Sequence, residues 1–355
     1  NITRQEFIIF EADDTNRTGI ETNINTFYDI YTPTPDPLLL NLYPGSAAAY
    51  SLRKLNANYT GSAILVQDTV GGATKAIGFD ANGDLDTAEL LAYAGSNDVF
   101  VATWFDQSGS GNDATQGTSA NRPKIYDATT GVVTENGKPA VDNQGGTQEL
   151  QLTSSLTGME TIIAVAKQDN GATSGYLIGS SGDKSLRSQS AWRAITGSPA
   201  PNSGDFQFNG SIYIDGVSLT SNLTTSNQVL IAANSATGGY NYALEFIGGR
   251  YPSRHWDGPI QELIIFSSEQ STSNRTGIET NIGGYYDIPL PGLLDENPGA
   301  AAAYSLRRLS STYTGSAIQV QRADNVGGTT DIGFDGYGNL DTAALTTAAA
   351  GNSMV

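Results

Sequence analysis

Cysteine is absent from this chain of 355 residues, and histidine occurs once, at His255. The lack of thiols excludes disulfides and thiolate zinc sites, and a single histidine leaves at most one candidate for histidine catalysis or a histidine-ligated metal. The sequence also has no run of 18 apolar residues, which excludes a membrane-spanning helix and predicts no insertion into a bilayer.

Positive charge is scarce as well, since 18 Lys and Arg face 36 Asp and Glu and give a net charge of −18. A surface of this sign repels phosphate backbones, so we expect no nucleic-acid partner. Glycine is abundant instead, with 41 residues, alongside many Ser, Thr and Asn. Short strands joined by frequent turns use this composition more than helical bundles do, which predicts an all-β protein.

The most informative feature is an internal repeat. The string NRTGIETNI occurs at 16–24 and again at 274–282, and other blocks recur in the same order about 255 residues apart. These blocks are QEFIIF and QELIIF (5–10, 261–266), AAAYSLR (47–53, 301–307), YTGSAI (59–64, 313–318), IGFD (77–80, 332–335) and LDTA (85–88, 340–343). Chance does not produce matched blocks in one order, so we interpret the chain as a window on a tandem array.

The phase of the repeat predicts the domain boundaries. Residues 1–32 are expected to be the C-terminal strand and helix of a preceding repeat, 45–288 a complete unit, and 299–355 the N-terminal part of the next repeat. The Pro-rich segments 33–44 and 289–298 are predicted to be stiff linkers, because proline fixes φ and favours extended geometry in the residue before it.

Within the complete unit, most segments have the β-branched and aromatic composition of strands and are bounded by turn residues. Asn209-Gly210 marks a hairpin between two such runs, and Asp215-Gly216 marks a second turn. Two short capping helices are expected: residues 85–95, with Asp86 as N-cap and Gly95 as the stop, and the segment that contains NRTGIETNI. This pattern predicts an antiparallel β-sandwich.

Several strings resemble known families. SIYIDGVSL (211–219) and the run from HWDG to YYDI (255–288) resemble the hairpin, last strand and closing helix of laminin-G-like and concanavalin A-like jelly-roll domains. The front part, with AAAYSLRKL, YTGSAILVQ and TWFDQSGSGNDATQ, resembles the start of the α-L-arabinofuranosidase B catalytic domain of glycoside hydrolase family 54, itself a jelly roll. The whole unit, including NGKPAV (136–141), resembles repeats of marine phage virion proteins and bacterial surface proteins. These resemblances imply antiparallel jelly-roll β-sandwiches in tandem repeat.

Glycoside hydrolysis would need two carboxylates that face each other across a cleft. The nucleophile region of family 54 includes a vicinal cysteine pair and an Asp-x-Glu stretch, whereas this chain has no cysteine and no matching Asp-x-Glu after residue 150. Glu245 and Glu262 lie inside predicted strands, where we expect them to pair with an arginine such as Arg250. Because a fold does not carry its function without the site, the sequence predicts a protein that is not an enzyme.

The densest polar loop is FDQSGSGNDATQ at 105–116, in which Asp106, Asn112 and Asp113 are candidate ligands of a structural calcium ion. The alternative is a turn whose side chains satisfy its own amide groups. DANGDLD at 80–86 also spaces its acids like a calcium loop, but its second copy changes two of those positions, so we expect a strand-to-helix turn there. No other cofactor is expected.

GGRYPSRHWDG at 248–258 combines planar arginines with aromatic rings, the composition of a sugar-stacking platform. Tyr251, Arg254 and Trp256 are therefore candidate glycan ligands, and Trp192 in the polar stretch SAWRAI is a fourth. The alternative for Trp256 is packing against the sheet.

Two further candidates are Thr87 and Thr342, each within a DTA string that resembles a bacterial O-glycosylation signal. An aspartate that caps the N-terminus of a helix would also account for the DTA string, so that alternative stays open.

Together these patterns predict a non-enzymatic structural or adhesive protein of an extracellular appendage, either on a virion (a phage fibre or capsid decoration) or on a bacterial cell surface. The expected partners are cell-surface glycans, bound weakly by each unit and strongly by the array, or copies of the chain itself in a filament. Two alternatives stay open: a filament subunit or bacterial adhesin with no ligand pocket, and an arabinofuranosidase-like glycoside hydrolase.

Overall fold

A computed structural model describes residues 6–10, 24, 38–169, 175–180, 186–188, 211–218, 228–234, 243–249, 255–296, 299–310, 312–321, 328–334 and 340–349. The chain divides into two compact units. Residues 34–286 form one, which we call the central unit, and residues 1–33 and 287–355 together form the other, which we call the terminal unit.

Both units are built mainly from antiparallel strands, which confirms the all-β prediction. In chain order the strands are β1 (Glu6–Phe10), β2 (Ser46–Ser51), β3 (Ile64–Asp68), β4 (Lys75–Ile77), β5 (Val99–Trp104), β6 (Ala114–Thr115), β7 (Lys124–Asp127), β8 (Gly131–Val132), β9 (Thr134–Glu135), β10 (Lys138–Pro139), β11 (Val141–Gln144), β12 (Leu150–Leu156), β13 (Thr161–Ala166), β14 (Gly175–Gly179), β15 (Leu186–Ser188), β16 (Ser211–Ile214), β17 (Val217–Ser218), β18 (Val229–Asn234), β19 (Leu244–Ile247), β20 (Asp257–Phe266), β21 (Ala300–Ser305), β22 (Ile318–Gln321) and β23 (Thr329–Ile332). The helices are α1 (Leu39–Leu42), α2 (Thr87–Ala94), α3 (Thr272–Tyr286), α4 (Leu293–Glu296) and α5 (Thr342–Ala349), with a 3₁₀ turn at Ser119–Asn121. Within these ranges, no helix has both the length and the apolar composition to cross a membrane.

Strand β20 organises the central unit, since it pairs with β2, β11 and β13. Its sequence, DGPIQELIIF, and that of β13, TIIAVA, are largely apolar. Nine of the ten residues of β20 and all six of β13 are buried, so these strands are covered on both faces. A continuous apolar run bounded by turn residues is the pattern that such covered strands need.

The core of the central unit is filled by branched aliphatic side chains and large aromatic ones. Trp104 on β5 and Tyr50 on β2 are both fully buried, with their ring centroids 6.1 Å apart. Burying an aromatic side chain of this size removes about 150–250 Å² from water, which contributes roughly 4–6 kcal/mol before the entropy of ordering is counted.

Helix α2 begins and ends where the sequence predicts. Asp86 accepts a hydrogen bond from the Glu89 N–H at 2.8 Å, and Gly95 follows the helix with a φ of 56°. Helix α3 contains the second NRTGIETNI string and buries its isoleucines and its last tyrosine. The first copy of that string, 16–24, lies outside the described residues except for Ile24.

In the terminal unit β1 pairs with β21, and β22 pairs with β23. Ile8 on β1 lies opposite Ala303 on β21, and in the central unit Ile264 on β20 lies opposite Ala49 on β2. These residues occupy matching places in the repeated blocks of sequence. The same blocks therefore make the same strand pair, in the same register, in both units.

Candidate functional site

Trp256, proposed from the sequence as a glycan ligand, is fully buried in the core of the central unit. Its indole N–H donates to the carbonyl of Lys167 at 3.1 Å, so the ring packs against the sheet and has no face open to a sugar. The packing alternative is therefore the one observed. The other three glycan candidates, Tyr251, Arg254 and Trp192, lie outside the described residues.

Thr87 and Thr342, the candidate O-glycosylation sites, are exposed and occupy the first positions of α2 and α5. Asp86 and Asp341 precede them, and each accepts a hydrogen bond at 2.8 Å from a backbone N–H of the first helical turn. Helix capping accounts for the DTA string in both places. Modification of the two threonines stays a prediction.

The loop after β5 is held together by its own side chains. The two carboxylate oxygens of Asp106 accept from the N–H groups of Ala49 (2.8 Å), Ser108 (2.9 Å) and Asn112 (3.0 Å). Asp113 in turn accepts from the Asp106 N–H at 2.9 Å. In the part of the chain that the structure describes, no group of three or more His, Asp or Glu side chains could hold a metal ion. These contacts form a turn whose side chains satisfy its own amide groups, and the calcium site at Asp106, Asn112 and Asp113 stays a prediction.

Residues 80–86 likewise form the turn that the sequence predicts. Asp80 accepts from the N–H of Asn82 at 2.8 Å and from that of Asp84 at 3.0 Å. Asp86 then caps α2. The acids of this segment thus shape the chain ahead of the helix.

Glu262 pairs with an arginine, as the sequence predicts, and that arginine is Arg53. Arg250, the example named from the sequence, lies outside the described residues. Glu262 is fully buried, and the guanidinium of Arg53 binds its two oxygens at 2.8 and 3.0 Å. Glu245 is half-buried and accepts a hydrogen bond from the Ser155 hydroxyl at 3.4 Å. Because both oxygens of Glu262 bind Arg53 in the core, this carboxylate is not available to a substrate. Candidate catalytic acids must therefore lie elsewhere.

Two other carboxyl groups come together on one face of the sheet in the central unit. Asp142 on β11 lies opposite Lys124 on β7 and opposite Pro259 on β20. Asp257 is two residues from Pro259 along β20, so its side chain is on the same face as that of Asp142. Diagonal neighbours of this kind are roughly 7–8 Å apart.

The chain that leaves β13 adds a third carboxylate and a second lysine. The N–H of Lys167 donates to Pro259 and the N–H of Asp169 donates to Asp257, both at 2.9 Å, so these residues continue the ladder beside β20. The ammonium of Lys167 lies 3.3 Å from Asp169 and 2.9 Å from Glu135. From here on the carboxylate cluster denotes Asp142, Asp169, Asp257, Lys124 and Lys167.

Burial is the main reason that the pKa of Asp142 is raised to about 6. The negative charges of Asp169 and Asp257 act in the same direction, because they disfavour a further anion. The positive charges of Lys124 and Lys167 act in the opposite direction and limit the rise. Asp142 is thus half-protonated near pH 6, well above the usual range of an aspartate, which suits a group that donates and accepts a proton.

Close packing fixes the backbone beside the cluster. Gly258 has a φ of 130°, and a Cβ atom there would lie 2.4 Å from the carbonyl oxygen of Lys167. Gly145 has a φ of 68° and lies against the carboxyl group of Asp257, where a Cβ atom would be 2.6 Å from Cγ. Only glycine meets both conditions at these two positions. Gly258 thus allows close packing against Lys167, and Gly145 allows close packing against Asp257.

His255 is also part of a contact that the sequence did not indicate. Its Nε2 lies 3.4 Å from Oε2 of Glu149, and both side chains are largely buried. The backbone of His255 forms a bridge with Tyr176. The pair joins the residues before β20 to the loop before β12.

None of the three acids of the carboxylate cluster was predicted from the sequence. One weak signal was present, because aspartate is unfavourable inside strands and Asp142 is the second residue of β11. The ordinary alternation of buried and exposed residues along a strand also accounts for an aspartate at position 142. Strand pairing alone brings Asp142, Asp169 and Asp257 together.

No protein-family model and no curated protein matches the chain. Among solved structures, it is similar to an arabinofuranosidase complexed with arabinofuranosyl-α-1,2-xylobiose, with 16% identity and a TM-score of 0.48 over 82% of this chain and 68% of that one. It is also similar to a glycoside hydrolase family 54 α-L-arabinofuranosidase soaked with a cyclic sulfate inhibitor, with 14% identity and a TM-score of 0.39 over 82% and 69%. The similarity to Trypanosoma rangeli sialidase in complex with sialic acid has 12% identity and a TM-score of 0.26 over 51% and 31%.

These neighbours fit the resemblance of the front part of the sequence to glycoside hydrolase family 54. They contradict the main functional expectation from the sequence, a non-enzymatic structural or adhesive appendage, and agree better with its arabinofuranosidase-like alternative. The phage, virion and fibre expectations gain no support from them. At such identities and TM-scores the similarity carries no conclusion about activity.

Proposed function

We propose that the chain is a carbohydrate-active protein that hydrolyses glycosidic bonds, with the carboxylate cluster as its catalytic centre. The observation that supports this most directly is the position of Asp142, a half-buried carboxyl group with a pKa of about 6 beside the carboxylates of Asp169 and Asp257. Glycoside hydrolysis needs two carboxyl groups in different protonation states, one protonated and one ionised.

In this proposal Asp142 is the general acid. Its proton passes to the glycosidic oxygen as the bond between that oxygen and the anomeric carbon breaks. Water then adds to the anomeric carbon, and the proton it loses returns to Asp142. Asp257 is the carboxylate that faces the positive charge developing at the anomeric carbon. We assign this role to Asp257 rather than Asp169 because it stands within β20 and packs against Gly145, whereas Asp169 is exposed.

The test is hydrolysis of 4-nitrophenyl glycosides by the full chain, measured as the release of 4-nitrophenol. An α-L-arabinofuranoside is the first substrate, because of the family 54 resemblance of the front part of the sequence, and a β-D-xyloside and a β-D-galactoside complete the panel. We expect turnover of at least one substrate, and we expect Asp142→Asn to lower kcat/KM by about 100-fold or more.

Asp215→Asn is the matched control. Burial raises the pKa of Asp215 to about 6 as well, but this residue lies between β16 and β17 and accepts from the Leu230 N–H at 2.7 Å. Its substitution should leave kcat/KM within about twofold of the unsubstituted chain. No turnover of any of the three substrates, or equal losses in the two variants, would count against the assignment.

We also propose that the chain is a tandem array of jelly-roll sandwiches that acts on glycans outside the cell, with residues 1–32 and 299–355 as parts of neighbouring repeats. Support comes from β1 and β21, which pair in the register of β20 and β2. Limited proteolysis tests the boundaries: the first cuts should fall within 33–44 and 289–298 and leave a resistant fragment near 45–288. Early cuts inside that fragment would contradict the arrangement.

A further inference from the structure

The lysine that lies opposite Asp142 in the sheet does not form an ion pair with it. Lys124 on β7 is the cross-strand partner of Asp142 on β11, and the Cβ atoms of such a pair are about 4.5–5.5 Å apart on one face of the sheet. A lysine side chain is long enough to bridge this gap, and opposite charges in such a pair attract each other. Among the described residues, however, none makes a hydrogen bond or an ion pair with the Asp142 carboxyl group. Asp142 therefore lacks the counter-ion that its place in the sheet offers.

The ammonium of Lys124 is held instead by two other carboxylates. It lies 3.0 Å from Oδ2 of Asp98, the residue before β5, and 2.8 Å from Oδ2 of Asp127, the last residue of β7. It also lies 5.8 Å from the centroid of the Phe100 ring, within the range of a cation–π contact. The Lys124 side chain is largely buried, so these contacts are only partly screened by water. From here on the lysine clamp denotes Asp98 and Asp127.

Backbone N–H groups fix both acids of the lysine clamp. Asp98 accepts through Oδ1 from the Ala128 N–H at 2.8 Å. Asp127 accepts through Oδ1 from the N–H groups of Thr129 at 2.9 Å and Thr130 at 3.2 Å. All three N–H groups belong to the turn between β7 and β8. Each carboxylate thus uses one oxygen to bind this turn and the other to bind the ammonium.

The charges of the clamp and of its lysine are stable around pH 6. A backbone hydrogen bond, and after it the bond from Lys124, lowers the pKa of Asp98. The bond from Lys124 is the main reason that the pKa of Asp127 is lowered to about 2. Burial lowers the pKa of Lys124, but its hydrogen bonds to the two acids outweigh burial and raise it. All three groups therefore stay ionised while Asp142 titrates.

The other lysine near Asp142 is also held by other acids. Lys167 lies 2.9 Å from Glu135 and 3.3 Å from Asp169. The charged groups around Asp142 are then Lys124 with its clamp from β7 and β5, Asp257 from β20, and Lys167 with its two partners. Neither ammonium is bound to the Asp142 carboxyl group.

We propose that the lysine clamp positions the catalytic centre: it holds the Lys124 ammonium away from Asp142 and leaves that carboxyl group free to carry the proton that hydrolysis needs. An ammonium in direct contact with Asp142 would stabilise its ionised form, and the proton would be lost. The clamp acids do not touch the substrate; they act through the lysine. This inference rests on the proposed function for the use of the proton, but the clamp is measurable without turnover.

The test follows the carboxyl carbon of Asp142 by NMR against pH, in the full chain labelled with ¹³C at its aspartate carboxyl groups. Asp142→Asn assigns the signal, and in the unsubstituted chain the midpoint should lie near pH 6. Asp98→Asn combined with Asp127→Asn releases the ammonium, so the midpoint should fall by at least about one pH unit. Asparagine keeps an oxygen that accepts from the turn, and the thermal unfolding midpoint checks that the double variant is folded.

The matched control makes the same two substitutions in a Lys124→Met chain. With no ammonium to release, the midpoint should move less than half as far. An unmoved midpoint in the double variant would overturn the proposal, and so would an equal fall in both backgrounds, since the effect would then not pass through Lys124. If the double variant does not fold, Asp98→Asn and Asp127→Asn are measured singly: each should lower the midpoint, and no change in either would overturn the clamp.

Turnover separates this inference from the proposed function. If the chain hydrolyses a glycoside, the decline of kcat/KM with pH should begin about one pH unit lower in the double variant. The expected NMR shift without turnover of any glycoside would support the clamp and count against hydrolysis. Turnover with an unmoved NMR midpoint would overturn the clamp alone.

Discussion

Arg53 and Glu262 form a buried, bidentate ion pair that joins the two ends of the central unit's sequence. The guanidinium Nε lies 2.8 Å from Oε2 and Nη2 lies 3.0 Å from Oε1. The Ser51 hydroxyl donates to the same carboxylate at 2.8 Å, and the guanidinium lies 4.6 Å from the ring centroid of Tyr285. Strand β20, helix α3 and the residues after β2 therefore meet at one carboxylate.

Glu262→Ala should lower the free energy of unfolding of the central unit by about 3–5 kcal/mol, because it leaves the Arg53 charge buried and unpaired. Replacing both partners, Arg53→Met with Glu262→Leu, should cost less than the single substitution for the same reason. The measurement is urea unfolding followed by tryptophan fluorescence, which reports on this unit because Trp104, Trp192 and Trp256 all lie in it.

The control for this prediction is the exposed pair of Lys75 and Glu89, whose charged atoms lie 2.7 Å apart. Lys75→Met should change the free energy of unfolding by no more than about 1 kcal/mol, since water screens an exposed pair. Similar losses for Glu262→Ala and Lys75→Met would show that burial does not set the strength of the Arg53 pair.

Gln107→Ala should lower the free energy of unfolding by roughly 3 kcal/mol, because the Leu55 N–H and the carbonyls of Ser51 and Arg53 would lose their buried partner. Gln144→Ala is the matched control, since Gln144 is exposed on β11. Equal unfolding midpoints for the two variants in urea would contradict the role given to Gln107.

Gly258→Ala should destabilise the central unit by at least about 1–3 kcal/mol through backbone strain, because φ is 130° and the added Cβ would meet the Lys167 carbonyl at 2.4 Å. Gly117→Ala is the control, since no atom lies within 4 Å of a Cβ added there. Thermal unfolding of both variants compares them directly. A midpoint for Gly258→Ala as high as that of the control would rule out the clash.

The unfolding free energy should fall as pH rises from about 4 to 6, in part through Asp142. Its pKa is raised from 3.8 to about 6 in the folded protein, so the folded state keeps a proton in this window that the unfolded state has lost. After allowance for solvent screening of a half-buried group, the contribution is about 1–2 kcal/mol. Asp142→Asn should flatten this part of the curve of urea midpoint against pH, and an unchanged curve would contradict the raised pKa.

The proposed hydrolysis should depend on the same titration. Because Asp142 must carry a proton to act as general acid, kcat/KM should decline about tenfold per pH unit above its pKa of about 6. Asp215→Asn should keep this decline. A profile that stays level to pH 8 would assign the acid to another group.

Features that depend on neighbours in the sequence were predictable. The cap formed by Asp86 and Glu89 spans three residues, and the hairpin of β16 and β17 turns at Asp215-Gly216, where φ of Asp215 is 50°. Both rest on backbone preferences and hydrogen bonds that close within a few positions. The all-β class followed equally from composition and from short apolar runs between turn residues.

Features that depend on strand pairing were not predictable. Glu262 was expected to pair with an arginine close in sequence, and its partner is 209 residues away. Trp256 stands among arginines and a tyrosine in the sequence, which is the composition of a sugar-binding platform. Only the fold decides that its ring is buried in the core. The same holds for Asp142, whose raised pKa arises from burial and from acids on other strands.

The sequence by itself determined the repeat, the β class, the helix caps and the turns, since each is encoded in short segments or in identity between distant ones. The tertiary structure decided which carboxylates are buried in ion pairs and which gather in the carboxylate cluster. The physical reason is that burial and electrostatic fields come from residues far apart along the chain, and only the register of the strands sets which of them meet.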